Sequence, residues 1–269
     1  MRKVKIGLAI LAVIGGLAGT LIAVWNLAST QMEYQKGEDA YEEIIDDYVR
    51  RPKKPEKQKD REETERKEAE QPEDYEYLTI DFAGLAAMNP DIIAWIDVPG
   101  AGISYPILQG EDNSFYLSHL SDRTKGIHGS VFVDYHNEAH FTDQNTIIYG
   151  HNMKDGTMFA PLDVYREKAK YLESTYFYIY TPESVLVYAI YSCYEGSAEG
   201  DAYLYAFSEE DRFLEFIRTT SDSSLYSTAP APNGTDKVVT LSTCVNTSRQ
   251  NRFILHGVLQ DMIKEADND

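Results

Sequence analysis

Cysteine is scarce in this sequence, which has two in 269 residues, Cys193 and Cys244. So few cysteines exclude a small disulfide-rich scaffold, although the count alone leaves one Cys193–Cys244 disulfide open. Basic residues are also in the minority, with 25 Lys and Arg against 44 Asp and Glu and a formal net charge of −19. Because phosphate contacts need a basic face, we expect no nucleic-acid partner.

Several motifs that announce a particular chemistry are missing. The chain has no P-loop, no GxGxxG, no GxSxG elbow, no HExxH and no CxxC. His136 and His140 are four residues apart, but the residues between them do not predict a helix that would place both rings on one face. We therefore expect no metal site and no cofactor, which leaves cysteine chemistry to consider.

Long apolar runs are confined to the N-terminus, where residues 6–25 carry no charge. Twenty helical residues span roughly 30 Å, the thickness of a bilayer's hydrocarbon core. Basic residues precede this run and acidic residues follow it, so the positive-inside rule places residues 1–5 in the cytoplasm and the rest of the chain outside. We predict a single-pass signal anchor at residues 6–28 in the cell membrane, with a cleaved signal peptide as the alternative.

The remaining chain divides by composition. Residues 29–74 predict an extracellular helical and charged spacer: "EDAYEEIIDDYV" has apolar residues at helical spacing, and residues 50–74 have almost no large apolar side chain. Residues 75–263 have a globular composition and length enough for one domain with a core of its own. Residues 264–269 are left as a C-terminal tail.

Short β-branched and aromatic runs dominate this domain. Examples are "IIAWIDVPG", "NTIIYGH", "VLVYAIYSCY", "KVVTLSTC" and "RFILHGVL". Helices are predicted at 112–120, at 160–175 and at 208–222. Many short strands with a few inserted helices indicate a mainly β domain that forms a closed or nearly closed barrel, with a β-sandwich as the alternative.

Cys244 is better placed than Cys193 to act as a nucleophile. It ends an alternating strand beside the polar "VNTSRQN", where a thiol is accessible, whereas Cys193 lies inside a strand. A thiol also needs a base and a group that stabilises an oxyanion. His151, just past a strand end, and Arg252, at the start of the next strand, are the candidates; as isolated residues, either fits an ordinary surface position equally well.

At these residues the sequence resembles a known family. "TLSTC", followed eight positions later by the arginine of "RFILHGVL", resembles the sortase signature. "NTIIYGHNMKDGTMFAPL" is similar to the sortase histidine segment, especially that of class B, and "GSVFVDYHN" also resembles that class. The resemblance extends over residues 80–263. It implies an eight-stranded sortase-type β-barrel with inserted helices and a transpeptidase at a Gram-positive cell surface.

The resemblance also implies roles for individual residues. Cys244, as a free thiol, would attack a Thr–Gly-type bond of a C-terminal sorting signal; His151 would transfer protons and Arg252 would hold the carbonyl oxygen. The residues expected to bind substrate are Asn113, Leu117, Ser242 and Thr243. The expected partners are surface proteins or pilins that carry a sorting signal, and an acceptor amine of a peptidoglycan precursor or of a pilin lysine.

Two other functions remain open from the sequence. A cysteine peptidase or amidase of the cell wall would transfer the acyl group to water. A non-enzymatic surface adhesion domain would use none of these side chains chemically.

Overall fold

The computed structural model describes residues 2–52, 75–228, 232–245 and 248–264, with the backbone alone for residues 2–14, 210 and 249. Residues 265–269 of the predicted tail 264–269 and residues 53–74 of the predicted spacer 29–74 therefore lie outside the described residues. What is described consists of a β-barrel, a long N-terminal helix that packs against it, and three shorter helices.

Eight strands form the closed barrel that the sequence predicts. In chain order they are β3 (Ile92–Val98), β4 (Ile103–Leu108), β5 (Val131–Val133), β6 (Asn145–Tyr149), β7 (Tyr176–Tyr180), β8 (Ser184–Ser197), β9 (Val238–Val245) and β10 (Ser248–Lys264). Around the barrel their order is β10-β8-β7-β3-β4-β5-β6-β9. Only the β4–β5 and β6–β9 pairs are parallel. The closed ring excludes the β-sandwich alternative.

The barrel strands carry large apolar side chains that are buried on both faces of the sheet. Trp95, Ile107, Phe177, Leu241 and Phe253 are all completely buried. At about 1.5–3 kcal/mol for each buried large apolar side chain, this core supplies much of the force that closes the sheet. The core therefore supports the ends of the strands rigidly, and the polar residues at those ends are held in fixed positions.

Helix α4 (Glu210–Asp222) covers the outer face of the barrel. Its apolar residues Phe213, Phe216 and Ile217 pack on Tyr191 of β8 and Val258 of β10. These strands are thus buried on both faces, which explains why they read as continuous apolar runs. The predicted helix at 208–222 is confirmed.

The other two predicted helices are shorter than expected. Residues 112–120 form only a 3₁₀ turn at Phe115–Leu117, because the Asp112 carboxylate accepts hydrogen bonds from the backbone N–H groups of Ser114 and Phe115 and closes a local turn. Residues 160–175 split into a 3₁₀ helix, Ala160–Arg166, and helix α3 (Lys168–Glu173). Helix α2 (Phe82–Met88) was not predicted; Asp81 caps its N-terminus through a hydrogen bond to Gly84.

The N-terminal helix α1 (Arg2–Tyr48) continues past the predicted span and packs on the barrel. Its Tyr41 and Ile44 are buried in the main core together with Val49. Val49 begins strand β1 (Val49–Arg50), which pairs antiparallel with β2 (Thr79–Ile80). The charged segment of the sequence therefore begins and ends at one two-stranded ribbon beside the barrel.

No helix among the residues whose side chains are described is both long and apolar enough to cross a bilayer. Residues 6–14 of the predicted span 6–28 lie outside that set.

Candidate active site

Three neighbouring strands place the predicted catalytic residues side by side. Strands β6 and β9 are parallel, and Tyr149 lies opposite Ser242 where the ladder ends. His151 follows Tyr149 by two residues, and Cys244 follows Ser242 by two residues. The two strands therefore bring them to the same edge of the barrel, in register. On the other side of β9, Arg252 of β10 is the direct cross-strand partner of Cys244.

Strand β10 begins earlier than the sequence predicts. It starts at Ser248 rather than at Arg252, and Ser248 pairs with Val245. The register shifts between Ser248 and Arg252, so the polar residues between them form an irregular stretch of strand. The irregularity is what brings Arg252 opposite Cys244, since it takes up extra residues on the β10 side.

The two cysteines differ sharply in environment, and both are free thiols. Cys244 is exposed, whereas Cys193 is completely buried. The Cys193 Sγ donates to the Tyr165 carbonyl and lies 3.2 Å from the Tyr226 hydroxyl, and burial raises the pKa of this thiol. Cys193 is therefore a packed core residue, and only Cys244 offers an accessible sulfur.

The His151 ring is oriented by a backbone carbonyl. Its Nε2 lies 2.7 Å from the Leu117 oxygen. A carbonyl oxygen only accepts, so Nε2 carries a proton, and Nδ1 is the nitrogen left for proton transfer in the neutral ring. Gly129, at φ +57°, leaves room for this arrangement: a Cβ there would lie 2.9 Å from His151 Cδ2 and 3.0 Å from the Leu117 oxygen.

Arg252 is half-buried beside two tyrosines of the same cleft. Its Nη1 donates to the Asn251 carbonyl at 2.9 Å. Burial raises the pKa of Tyr203, while a hydrogen bond with Ser242 and the positive charge of Arg252 partly oppose the shift. The positive charge of Arg252 therefore acts on the part of the cleft that Tyr203 and Ser242 line.

A cleft of ≈ 290 Å³ opens between these side chains. The cleft is lined by all seven site residues that the sequence predicts, namely Asn113, Leu117, His151, Ser242, Thr243, Cys244 and Arg252. Five further residues that the sequence does not single out also line it: Phe132, Tyr149, Gly150, Ala198 and Tyr203. A larger cavity of ≈ 410 Å³ lies between α4 and residues 201–208 and includes Arg212 and Glu215. Its lining has neither cysteine nor histidine, so it offers no comparable nucleophile.

Asn113 is held in place by residues at the end of β5. Its Nδ2 donates to the Asp134 carboxylate at 2.7 Å, and its Oδ1 accepts from the Tyr135 backbone. Burial alone would raise the pKa of Asp134, but hydrogen bonds from the His136 backbone, from Tyr149 and from Asn113 outweigh it and hold that pKa below its usual value. Asn113 thus lines the cleft with much of its hydrogen-bonding capacity already in use.

Ser242 and Thr243, the other two polar residues of the expected substrate site, are both buried. The Ser242 hydroxyl lies 2.8 Å from the Tyr203 hydroxyl. Thr243 Oγ1 is buried and has no hydrogen-bond partner among the described residues. Side chains alternate along a strand, so the Thr243 side chain points to the face of β9 opposite Ser242 and Cys244, where its cross-strand partner is the buried Phe253.

Tyr203 and Asn152 were missed by the sequence. Tyr203 lies in a segment without clear periodicity. Its position is fixed by the Asn145 amide, which donates to the Ala202 and Leu204 carbonyls, and by its own contact with Ser242. Asn152 Nδ2 donates to the Cys244 carbonyl at 2.6 Å. The sequence signal that could have identified Asn152 is its position next to His151. A side chain just past the end of β6 lies close to the residues at the end of β9.

Comparison with known proteins gives a consistent picture. Residues 96–260 match the family model described as Sortase domain. The chain is 34% identical over 177 residues to "Sortase B" of Listeria monocytogenes, covering 65% of this chain and 72% of that one. The crystal structure of sortase B from Bacillus anthracis in complex with AAEK1 superposes with a TM-score of 0.69 at 25% identity, covering 87% and 99% of the two chains. The Staphylococcus aureus sortase B–substrate complex has a TM-score of 0.63 at 28% identity, covering 69% and 85%.

Proposed function

This chain belongs to the sortase family, in class B, whose members are cysteine transpeptidases, and from that premise we propose that Cys244, His151 and Arg252 carry out its chemistry. The observation that supports the assignment best is the register of β6, β9 and β10. It aligns an exposed thiol, an oriented imidazole and a fixed guanidinium at the rim of one cleft.

The first half-reaction forms a thioester. Cys244 gives its proton to His151, and the sulfur attacks the carbonyl carbon of a peptide bond in the sorting signal. Arg252 stabilises the negative charge that develops on the carbonyl oxygen, because a guanidinium stays protonated throughout. The C–N bond then breaks, and the leaving amine takes the proton from His151.

The second half-reaction transfers the acyl group to an amine. The acceptor amine gives a proton to His151 as its nitrogen attacks the thioester carbon. The C–S bond breaks, and the leaving sulfur of Cys244 takes that proton from His151, which restores the thiol and the neutral imidazole for the next cycle. We propose a surface protein with a C-terminal sorting signal as the donor and a peptidoglycan-precursor amine or a pilin lysine as the acceptor.

Asn113, Leu117, Ser242 and Thr243 are proposed to contact the sorting signal. All four line the cleft.

We also propose that residues 6–28 anchor the chain in the cell membrane, with residues 1–5 inside and the domain 75–263 outside. The uncharged run 6–25 and the basic residues before it support this orientation. A membrane-impermeant maleimide tests it in intact cells that carry Cys244→Ala, to which either Lys3→Cys or Gln31→Cys is added. Labelling at position 31 and not at position 3 is expected, and the reverse pattern would contradict the orientation.

The function is tested by mass spectrometry of the protein with a sorting-signal peptide and an amine. A peptide–amine product is expected from the unaltered chain, and no acyl-enzyme from Cys244→Ala. Cys193→Ala is the matched control: it should keep the transfer rate and lose about 0.5–3 kcal/mol of stability, because it touches only the core. Hydrolysis without transfer would indicate a peptidase, and neither product would indicate a binding domain.

A further inference from the structure

The N-terminal helix lies against the segment that supports His151. One stripe of α1 carries Tyr34, Gly37, Tyr41 and Ile44 at spacings of three and four residues, so all four share a face. Tyr41 and Ile44 are buried against the barrel. On the barrel side, this stripe meets residues 128–130, which immediately precede β5.

Gly37 allows the helix to approach closely. A Cβ at this position would lie 2.0 Å from Nδ1 of His128, whose ring is almost completely buried. Tyr34 contacts the same ring edge-on, with 5.6 Å between centroids. The other nitrogen of His128, Nε2, lies 3.0 Å from the carboxylate of Asp155, in the loop that follows His151.

Tyr41 makes the second contact, one turn further along. Its hydroxyl donates to the Gly129 carbonyl at 2.5 Å and accepts a longer hydrogen bond from Ser121. Burial raises the pKa of Tyr41 to about 12, so the hydroxyl remains a donor at any physiological pH.

Gly129 in turn connects to the imidazole. The next residue, Ser130, donates its backbone N–H to the Tyr116 carbonyl and its hydroxyl to the His119 carbonyl. Those two bonds hold the 3₁₀ turn whose Leu117 carbonyl accepts from His151 Nε2. Gly129 itself packs directly on the ring at Cδ2.

We propose that Tyr41 and Gly37 of the N-terminal helix are positioning residues for the reaction: they hold segment 128–130, and through it the Leu117 carbonyl, so that His151 keeps its proton on Nε2. This inference rests on the proposed role of His151. The catalytic unit accordingly includes the C-terminal half of α1. If that helix leaves the barrel, Cys244 stays in place but the His151 ring is free to rotate.

The test compares Tyr41→Phe with Tyr48→Phe in the full-length chain. Tyr48 is on the last turn of the same helix, where its ring lies against Gly84 of α2. Tyr48→Phe therefore removes the same kind of hydroxyl group from the same helix, but away from segment 128–130. Misplacement of a catalytic group by about 1 Å can cost about a hundred-fold in rate. We expect a smaller displacement from Tyr41→Phe, so kcat should fall about ten-fold, with KM for the sorting peptide within two-fold. Tyr48→Phe should keep kcat.

A spectroscopic readout separates positioning from a general loss of structure. The ¹⁵N shifts of the His151 ring should report the Nε2–H tautomer in the unaltered chain and in Tyr48→Phe, and a mixture of tautomers in Tyr41→Phe. Gly37→Ala is the second variant. It raises helix propensity, so the helix itself is not weakened, but its methyl group collides with His128. It should shift the tautomer ratio in the same direction.

The outcomes are distinguishable from failure of the proposed function. If His151→Ala retains the transfer rate, His151 is not the catalytic base and the function assignment is wrong. If His151→Ala is inactive while Tyr41→Phe and Gly37→Ala keep both kcat and the tautomer, the function stands and the positioning role is overturned.

Discussion

Arg252 faces Cys244 directly across the β9–β10 ladder, which fixes its direction relative to the sulfur. Loss of one pre-organised oxyanion donor costs roughly 10²–10³ in rate, so Arg252→Ala should lower kcat by that factor. Arg252→Lys should also be poor, because an ammonium lacks the planar fork of the guanidinium. Steady-state rates of peptide-to-amine transfer measure both.

The matched control for Arg252 is Arg212→Lys on helix α4, where the arginine side chain is exposed and pairs with Glu215. Its rate should not change. Equal rates for Arg252→Ala and the unaltered protein would remove the arginine from the mechanism.

His256 gives the protein a pH-dependent stability. It lies on β10 and is completely buried, with Nδ1 2.9 Å from the Thr240 hydroxyl of β9, and burial lowers its pKa to about 3. Between pH 3 and 6.5 the unfolded chain binds a proton that the folded chain does not, so stability falls as the pH falls through this window.

Thermal unfolding of His256→Gln should therefore show a weaker dependence of Tm on pH between about 3 and 6.5 than the unaltered protein. His119→Gln, in an exposed turn, is the control and should keep the full slope. An identical slope for His256→Gln would mean that other groups cause the acid sensitivity.

At the scale of elements, the β6–β9 pairing is extended by a side chain. The backbone N–H of Gly150 donates to the Ser242 carbonyl, and the Asn152 amide makes the next such contact, to the Cys244 carbonyl. This bond ties the residue after His151 to the nucleophile's own peptide, so it fixes the separation between the two strand ends.

Asn152→Ala should lower kcat about five-fold or more, since a net hydrogen bond is worth about 1 kcal/mol. Asn233→Ala is the control: that side chain closes a turn remote in sequence from both strand ends through its bond to Thr235. Single-turnover acylation rates compare the two. A rate for Asn152→Ala equal to that of the control would show that the β6–β9 ladder positions Cys244 without this bond.

At the scale of the whole molecule, the charged segment does not connect helix α1 to a separate domain. Residues on both sides of it, Val49 and Ile80, pair in the β1–β2 ribbon, and Tyr41 and Ile44 before it are buried in the core. Each such side chain contributes about 1.5–3 kcal/mol on burial, so the N-terminal piece should remain bound without a covalent link.

A protease site engineered within residues 53–74 tests this arrangement in membranes. After complete cleavage, the C-terminal fragment should stay with the membrane fraction and keep its activity. A site placed between residues 28 and 32, ahead of the packed face of α1, should release an active domain. Release by the first cut would show that the helix does not hold the domain by packing.

The sequence by itself determined the strands, the mainly β class and the identity of the candidate nucleophile. These are local properties, because alternation of apolar residues marks a strand and a polar stretch after Cys244 marks its end. The same locality explains the 112–120 error: the apolar spacing fits a helix, but Asp112 offers the backbone a competing set of bonds.

Tertiary structure alone decided which strands are neighbours, and therefore which side chains meet. Period-two alternation specifies a face but not a partner, so nothing in "NTIIYGH" says that β6 lies beside β9 and in register with it. The positions of Tyr203, of the Leu117 carbonyl and of α1 depend on contacts between residues far apart in the chain. Such contacts form only once the core has closed. Bringing distant residues together costs loop-closure entropy, and only the apolar surface that all segments bury together offsets that cost.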